Sequence, residues 1–203
     1  MMNNLEFQKF PKMARLSRDI IVTEKIDGTN AQVLITEDGD VFAGSRNQWI
    51  TPEKDNAGFA RWVEGNKIEL LKLGPGRHFG EWWGSGIQRG YGLPKGEKRF
   101  SLFNVGRWAL YGTEPRRMWT ADPRIVKYQD VLPEGVLLVP ELYRGEFDTQ
   151  RISGVFEDLK VNGSYASPGF MRPEGIVVFH VAGNVGFKKT IENDGVPKSL
   201  VGM

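Results

Sequence analysis

Thr23-Glu24-Lys25-Ile26-Asp27-Gly28-Thr29-Asn30 places one lysine at the end of an apolar run and just before a polar turn. Ile20, Ile21 and Val22 on one side are β-branched, and Ala31-Gln32-Val33-Leu34-Ile35 on the other resumes an extended pattern. The stretch therefore predicts strand, tight Asp-Gly turn, strand, with the lysine on a stiff element. A lysine so placed has two possible jobs. Protonated, it cannot attack anything; near other cations, or partly desolvated, its charged form is disfavoured and a nucleophilic amine becomes available. A solvated lysine beside a hairpin turn is the other reading of these eight residues.

The rest of the chain bounds the choice. At 203 residues with 40% apolar content it is long enough for a sizeable core, and a single domain over residues 1–203 is expected. The formal charge of +2 permits a phosphate-bearing partner without demanding one. No cysteine occurs, which removes disulfides, thiolate zinc sites and cysteine nucleophiles together and fits a reducing compartment. The N-terminal residues lack a basic segment followed by an apolar one, and no run approaches the ~20 apolar residues of a membrane span. The expectation is a soluble, cytoplasmic monomer with no membrane partner.

Along the chain, residues 7–18 intersperse cations among apolar residues, an amphipathic lead-in whose charges face water or, at one or two positions, touch phosphate. Glu37-Asp38-Gly39-Asp40 reads as a turn into a short return strand, Val41 to Gly44, ending in Ser45-Arg46-Asn47. Ala57 to Leu73 spaces Phe59, Trp62, Val63, Leu70 and Leu71 on one helical face, with Gly65-Asn66 a point of division. Residues 74–96 are too dense in glycine for a helix, which suggests backbone running close to a ligand or to another segment. Strands are expected at Arg99 to Val105, Val136 to Val139, Ile176 to Val181 and Val185 to Thr190, and a core-facing helix over Asp148 to Leu159. Short, turn-linked strands with few helices predict a mixed α+β fold with antiparallel sheets.

Lys25-Ile26-Asp27-Gly28 resembles the nucleotide-attachment motif of the covalent nucleotidyltransferases, which include DNA ligases, RNA ligases and mRNA capping enzymes. Glu24 before it and Thr29-Asn30 after it resemble ATP-dependent RNA ligases of the RNA ligase 2 type. The resemblance continues. Ser45-Arg46 is similar to a second motif, in which an arginine lies near the nucleotide ribose and phosphates. Gly80-Glu81-Trp82-Trp83-Gly84, with Gly86-Ile87-Gln88-Arg89, resembles an RNA ligase segment whose glutamate accepts hydrogen bonds from ribose hydroxyls. Phe100-Ser101-Leu102-Phe103-Asn104-Val105 resembles a third motif whose aromatic ring, here Phe103, stacks on adenine, with plain core the other reading. Glu174 in Pro173-Glu174-Gly175-Ile176 stands where a glutamate of the fourth motif helps hold a divalent metal.

The fifth motif of the family has two lysines one residue apart, so that both share a strand face. Here Gly186-Phe187-Lys188-Lys189-Thr190 has adjacent lysines, and Lys188 is assigned to the α-phosphate.

The resemblance implies an antiparallel-sheet, ATP-grasp-like adenylation domain; the chain departs from larger relatives in ending at Met203, soon after the fifth motif, so a C-terminal accessory domain is not expected. Its cofactors would be ATP and Mg²⁺ or Mn²⁺, and its partner an RNA with 5′-phosphate and 3′-hydroxyl ends. The site it implies comprises Lys25, Asp27 and Lys188 for catalysis, with Glu24, Arg46, Glu81, Phe103 and Glu174 at the nucleotide. Glu174 and Asp27 would hold the metal. Arg89, Arg116 and Arg117 are expected at nucleic acid, with Lys9, Lys12, Arg124 and Lys127 as further phosphate contacts. A small DNA ligase, and a module that binds ATP or an RNA end without forming a lysyl adduct, are the competing readings.

Overall fold

The computed structural model describes residues 7–108 and 132–195. Two sheets carry the fold. The first has four strands in the order β10(Val185–Thr190), β9(Gly175–His180), β1(Asp19–Lys25), β8(Glu141–Glu146), every neighbouring pair antiparallel. The second has six, in the order β4(Trp49–Ile50), β3(Val41–Ser45), β2(Thr29–Ile35), β5(Gly76–Gly84), β6(Lys98–Leu102), β7(Val136–Leu138). Its neighbours are antiparallel except β6 and β7. The mixed α+β architecture expected from short, turn-linked strands is the one observed.

β1 and β2 do not form the expected hairpin: they lie in different sheets, and Ile26-Asp27-Gly28 carries the chain from one to the other. The reason is in the burial. Every interior position of β1 from Ile20 to Glu24 is buried, as a central strand covered on both faces requires, whereas β2 alternates. Gly28 permits the crossing because a Cβ there would lie 2.4 Å from the Trp82 carbonyl oxygen and 2.8 Å from Trp83 Cβ.

Helices cover the outer face of each sheet. Asp148 caps α4(Thr149–Asn162) by accepting from the Gln150 and Arg151 N–H groups, and Val155, Phe156 and Leu159 pack on Ile20, Val22, Ile176 and Val178 of the four-stranded sheet. The predicted helix beginning at Ala57 divides near Gly65-Asn66 into α1(Phe59–Gly65) and α2(Lys67–Leu70), ending in a 3₁₀ turn at Leu71–Leu73. Phe59 stacks on half-buried Trp62 and meets Trp82 and Phe100 of the six-stranded sheet at tilted angles. A short helix, α3(Val105–Trp108), follows β6.

The inner faces meet through a third cluster, which gathers Ile21 and Phe179 of one sheet and Trp83 of the other with Ile26, Tyr91, Val105 and Val139. Among the described residues no helix is long and apolar enough to cross a membrane.

Candidate active site

Strand parity decides which side chains enter the space between the sheets. Ile20, Val22 and Glu24 point toward α4, so Ile21, Thr23 and Lys25 point inward. Lys25 pairs across the sheet with Gly175, and Gly175 with Thr190; Thr23 pairs with Val177, and Val177 with Lys188. Lys188 therefore shares the inward face of Lys25. Lys189 faces the other way and rests its ammonium 4.5 Å from the Phe156 ring centroid.

Lys25 Nζ donates to Glu174 Oε2 at 2.7 Å, with the lysine side chain 22% exposed and that of Glu174 4%. Glu174 sits one residue before β9, and its neighbour Gly175 has φ 154°, with no room for a Cβ beside the Lys189 carbonyl. The Glu-Gly and Asp-Gly pairs thus serve one purpose: a glycine lets a neighbouring strand approach a reactive side chain closely.

Glu81 reaches the same centre from the six-stranded sheet. It is opposite Asn30 in the β2–β5 register, and its two oxygens accept from the Gly28 N–H at 3.0 Å and Asn30 Nδ2 at 3.1 Å. Burial pushes its carboxyl up to about 7; the Lys25 charge opposes the rise and the Glu174 charge adds to it. Each oxygen retains acceptor capacity for a further donor.

Beside this cluster lies a cavity of about 240 Å³ lined by Asn30, Ala31, Gln32, Ser45, Arg46, Phe79 and Phe103. Arg46 is exposed, and Phe103 and Phe79 are 41% and 51% exposed, so Phe103 presents a free ring to the cavity instead of joining the core. Phe79 is not among the residues expected from the sequence. Its place two residues before Glu81 on the same strand face was the available clue.

Other expected residues are placed differently. Glu24 is 1% exposed and faces α4, where it accepts from Ser164 Oγ at 2.6 Å and from the Tyr165 and Ala166 N–H groups at 2.8 and 2.9 Å. Its carboxyl is raised by burial, against these hydrogen bonds, and it braces the loop after α4 rather than reaching the cavity. Asp27, expected at a metal, accepts from Arg89 Nε at 3.1 Å. Arg89, expected at nucleic acid, spends its remaining nitrogens on the Arg172 carbonyl at 3.2 Å and Glu192 Oε2 at 2.8 Å. With all three nitrogens engaged inside the protein, the guanidinium clamps the motif loop, and two of its five N–H donors are left over for any outside acceptor. Arg116, Arg117, Arg124 and Lys127 lie outside the described residues.

The motif loop has one more tether. Tyr91, fully buried in the left-handed conformation at φ 52°, accepts from the Asp27 N–H at 2.9 Å and directs its hydroxyl toward the Lys25 carbonyl at 3.5 Å. Burial raises its phenol well above the usual range, so it stays a neutral hydroxyl. Nothing in the sequence singled it out.

Among the described residues no group of three or more His, Cys, Asp or Glu side chains is gathered to hold a metal by protein ligands alone. A hard cation that keeps most of its waters and takes phosphate oxygens needs only one or two carboxylates. Glu174, buried against an ammonium, meets that requirement, while Asp27, paired to Arg89, meets it less well.

The chain resembles known proteins in sequence pattern and in fold. The family model for RNA ligase matches residues 18–190. By sequence, no curated protein matches the chain. Among solved structures it resembles variants of Naegleria gruberi RNA ligase: an apo form at 20% identity and TM-score 0.57, one with AMP and Mn at 21% and 0.56, and one with ATP and Mn at 19% and 0.57. Each match covers 86% of this chain and 50% of the other, so this chain spans about half the length of those it resembles. At such identities the structures establish the shared fold, and the match over residues 18–190 establishes the rest: the chain belongs to the RNA ligase family.

Proposed function

We propose that the chain is the adenylating part of an ATP-dependent RNA ligase. Lys25 becomes covalently bonded to AMP, which then passes to a 5′-phosphate RNA end that a 3′-hydroxyl attacks to close the strand. The observation that carries this reading is the cluster of Lys25, Glu174 and Glu81, drawn from three strands or strand ends of two sheets onto one inward-facing space, with Lys188 on the same face.

Adenine stacks on Phe103 in the cavity, with Arg46 near the sugar and phosphates and Glu81 accepting from ribose hydroxyls. The Lys25 Nζ lone pair forms a bond to the α-phosphorus as the bond from that phosphorus to the bridging oxygen breaks, and pyrophosphate leaves with the electron pair. At rest, Nζ is a donor to Glu174, so the pair must separate and Nζ, which is partly open to solvent, must give a proton to water before it attacks. Lys188, on the same sheet face, offers its cation to the α-phosphoryl oxygens as charge shifts onto them. A bound Mg²⁺ or Mn²⁺ would supply further charge neutralisation there and would be held by Glu174. Arg89 and Tyr91 hold the loop that presents Lys25.

The test is the intact mass of the protein after incubation with ATP and Mg²⁺. One added AMP that is absent in Lys25→Ala is expected; an unmodified protein would leave only a binding module. Sealing of nicked RNA, RNA-DNA hybrid and DNA then separates an RNA ligase from a DNA ligase.

A further inference from the structure

We propose that residues 7–18 form a basic, aromatic arm that holds the body of a single-stranded RNA away from the reacting ends; this rests on the ligase reading above. The segment lies almost wholly outside the family match, which begins at residue 18. It lies outside the helices and strands, and every residue in it is exposed.

Two interleaved series with a spacing of three run through it: Phe7, Phe10, Met13 and Leu16, and Lys9, Lys12, Arg15 and Arg18. Phe7, Phe10 and Met13 are 89%, 78% and 87% exposed, far beyond what a scattered surface apolar residue needs. Residues 7–18 contain four cations and no acid, while the whole chain nets +2; the remaining residues therefore net −2. Among the described residues no ion pair engages these four cations. A polyanion would meet its complement here.

Aromatic rings between cations match single-stranded nucleic acid: bases stack on rings and phosphates meet ammonium and guanidinium groups, with little sequence preference. The arm is fastened where it joins the sheet, since the Leu16 carbonyl is 3.0 Å from His180 Nε2 and the Arg18 carbonyl accepts from the Phe147 N–H. That junction is at the Asp19 end of β1, about 20 Å from Lys25 at ~3.3 Å per residue. A strand with its end at Lys25 thus reaches the arm only beyond about six nucleotides, taking ~3.4 Å for each.

The test uses the full chain and a fluorescent single-stranded RNA with a 5′-phosphate. Two variants are compared with the unaltered protein: Lys9→Ala/Lys12→Ala/Arg15→Ala, and Phe7→Ala/Phe10→Ala. The first should weaken RNA binding about tenfold or more at 0.1 M salt, and should lower the slope of log K against log salt by about 2, at ~0.7 per lost cation. The second should weaken binding about tenfold with the slope unchanged. Both should still form lysyl-AMP, which shows that they fold. Unchanged RNA affinity and slope in the triple variant overturns the arm and leaves the ligase reading intact. Arm-dependent binding to phosphatidylserine vesicles without arm-dependent RNA binding also overturns it. Absence of lysyl-AMP in the unaltered protein refutes the ligase reading on its own.

Discussion

Lys25 and Glu174 are separated by 149 positions in the chain and by 2.7 Å between Nζ and Oε2. Antiparallel pairing of β1 with β9, which puts Lys25 opposite Gly175, brings them together. Glu174→Gln keeps the shape and removes the charge. Lysyl-AMP formation should fall by about 100-fold, the scale of losing one preorganised electrostatic group. Single-turnover adenylation measures it; an unaltered rate would remove Glu174 from the mechanism.

Lys188→Ala and Lys189→Ala should separate cleanly. Lys188 shares the inward face with Lys25, so its loss should slow adenylation by about 100-fold. Lys189 lies on Phe156 beneath α4, so its loss should leave the adenylation rate intact and lower stability by less than about 1 kcal/mol. Equal rates in the two variants would contradict the register.

Glu81, with a carboxyl pushed up to about 7, ties nucleotide binding and stability to pH. Its folded pKa exceeds the unfolded value, so its contribution to stability is complete below about 4.5 and is lost as pH rises through about 7, with a ceiling of roughly 3 kcal/mol. Glu81→Gln should therefore stabilise the protein at pH 8 relative to pH 5. It should also weaken ATP binding and flatten the gain in affinity that the ionised carboxylate gives above pH 7. Melting temperature and ATP affinity between pH 5 and 8.5 read both effects, as approximate bounds of that window.

Glu24→Ala removes the acceptor of three hydrogen bonds from Ser164, Tyr165 and Ala166. The cost should be about 3 kcal/mol, a fall in Tm of about 10 °C for a chain of this size. Thermal denaturation checks it, and a Tm within a degree or so of the unaltered protein would show that Glu24 braces nothing.

Arg89→Lys tests the clamp on the motif loop. A single ammonium cannot reproduce three directed contacts to Asp27, the Arg172 carbonyl and Glu192. Adenylation should fall about tenfold, by 1.4 kcal/mol or so, with RNA affinity unchanged. A loss confined to RNA affinity would return Arg89 to the role its sequence suggested.

Much was legible because local chemistry announces itself. The β-branched run before Lys25 and the spacing of Val155, Phe156 and Leu159 each reflect a short-range preference, and the structure follows them. β8 was not foreseen: Glu141-Leu142-Tyr143-Arg144-Gly145-Glu146 buries only Leu142 and owes its extended form to the neighbour β1. The Asp-Gly pair misled because a tight turn and a crossing between sheets look alike over three residues.

By itself the sequence determined the reactive groups: one lysine on a stiff strand, the glutamates beside glycine, a ring after β6 and the basic segment at residues 7–18. Only the tertiary structure decided their allegiance. It sent Lys188 inward and Lys189 outward, gave Glu24 and Arg89 to bracing, and brought Glu174 to Lys25. The physical reason is that a residue's type sets what it can donate or accept, while its partner is set by register and sheet order, which pair positions far apart in the chain.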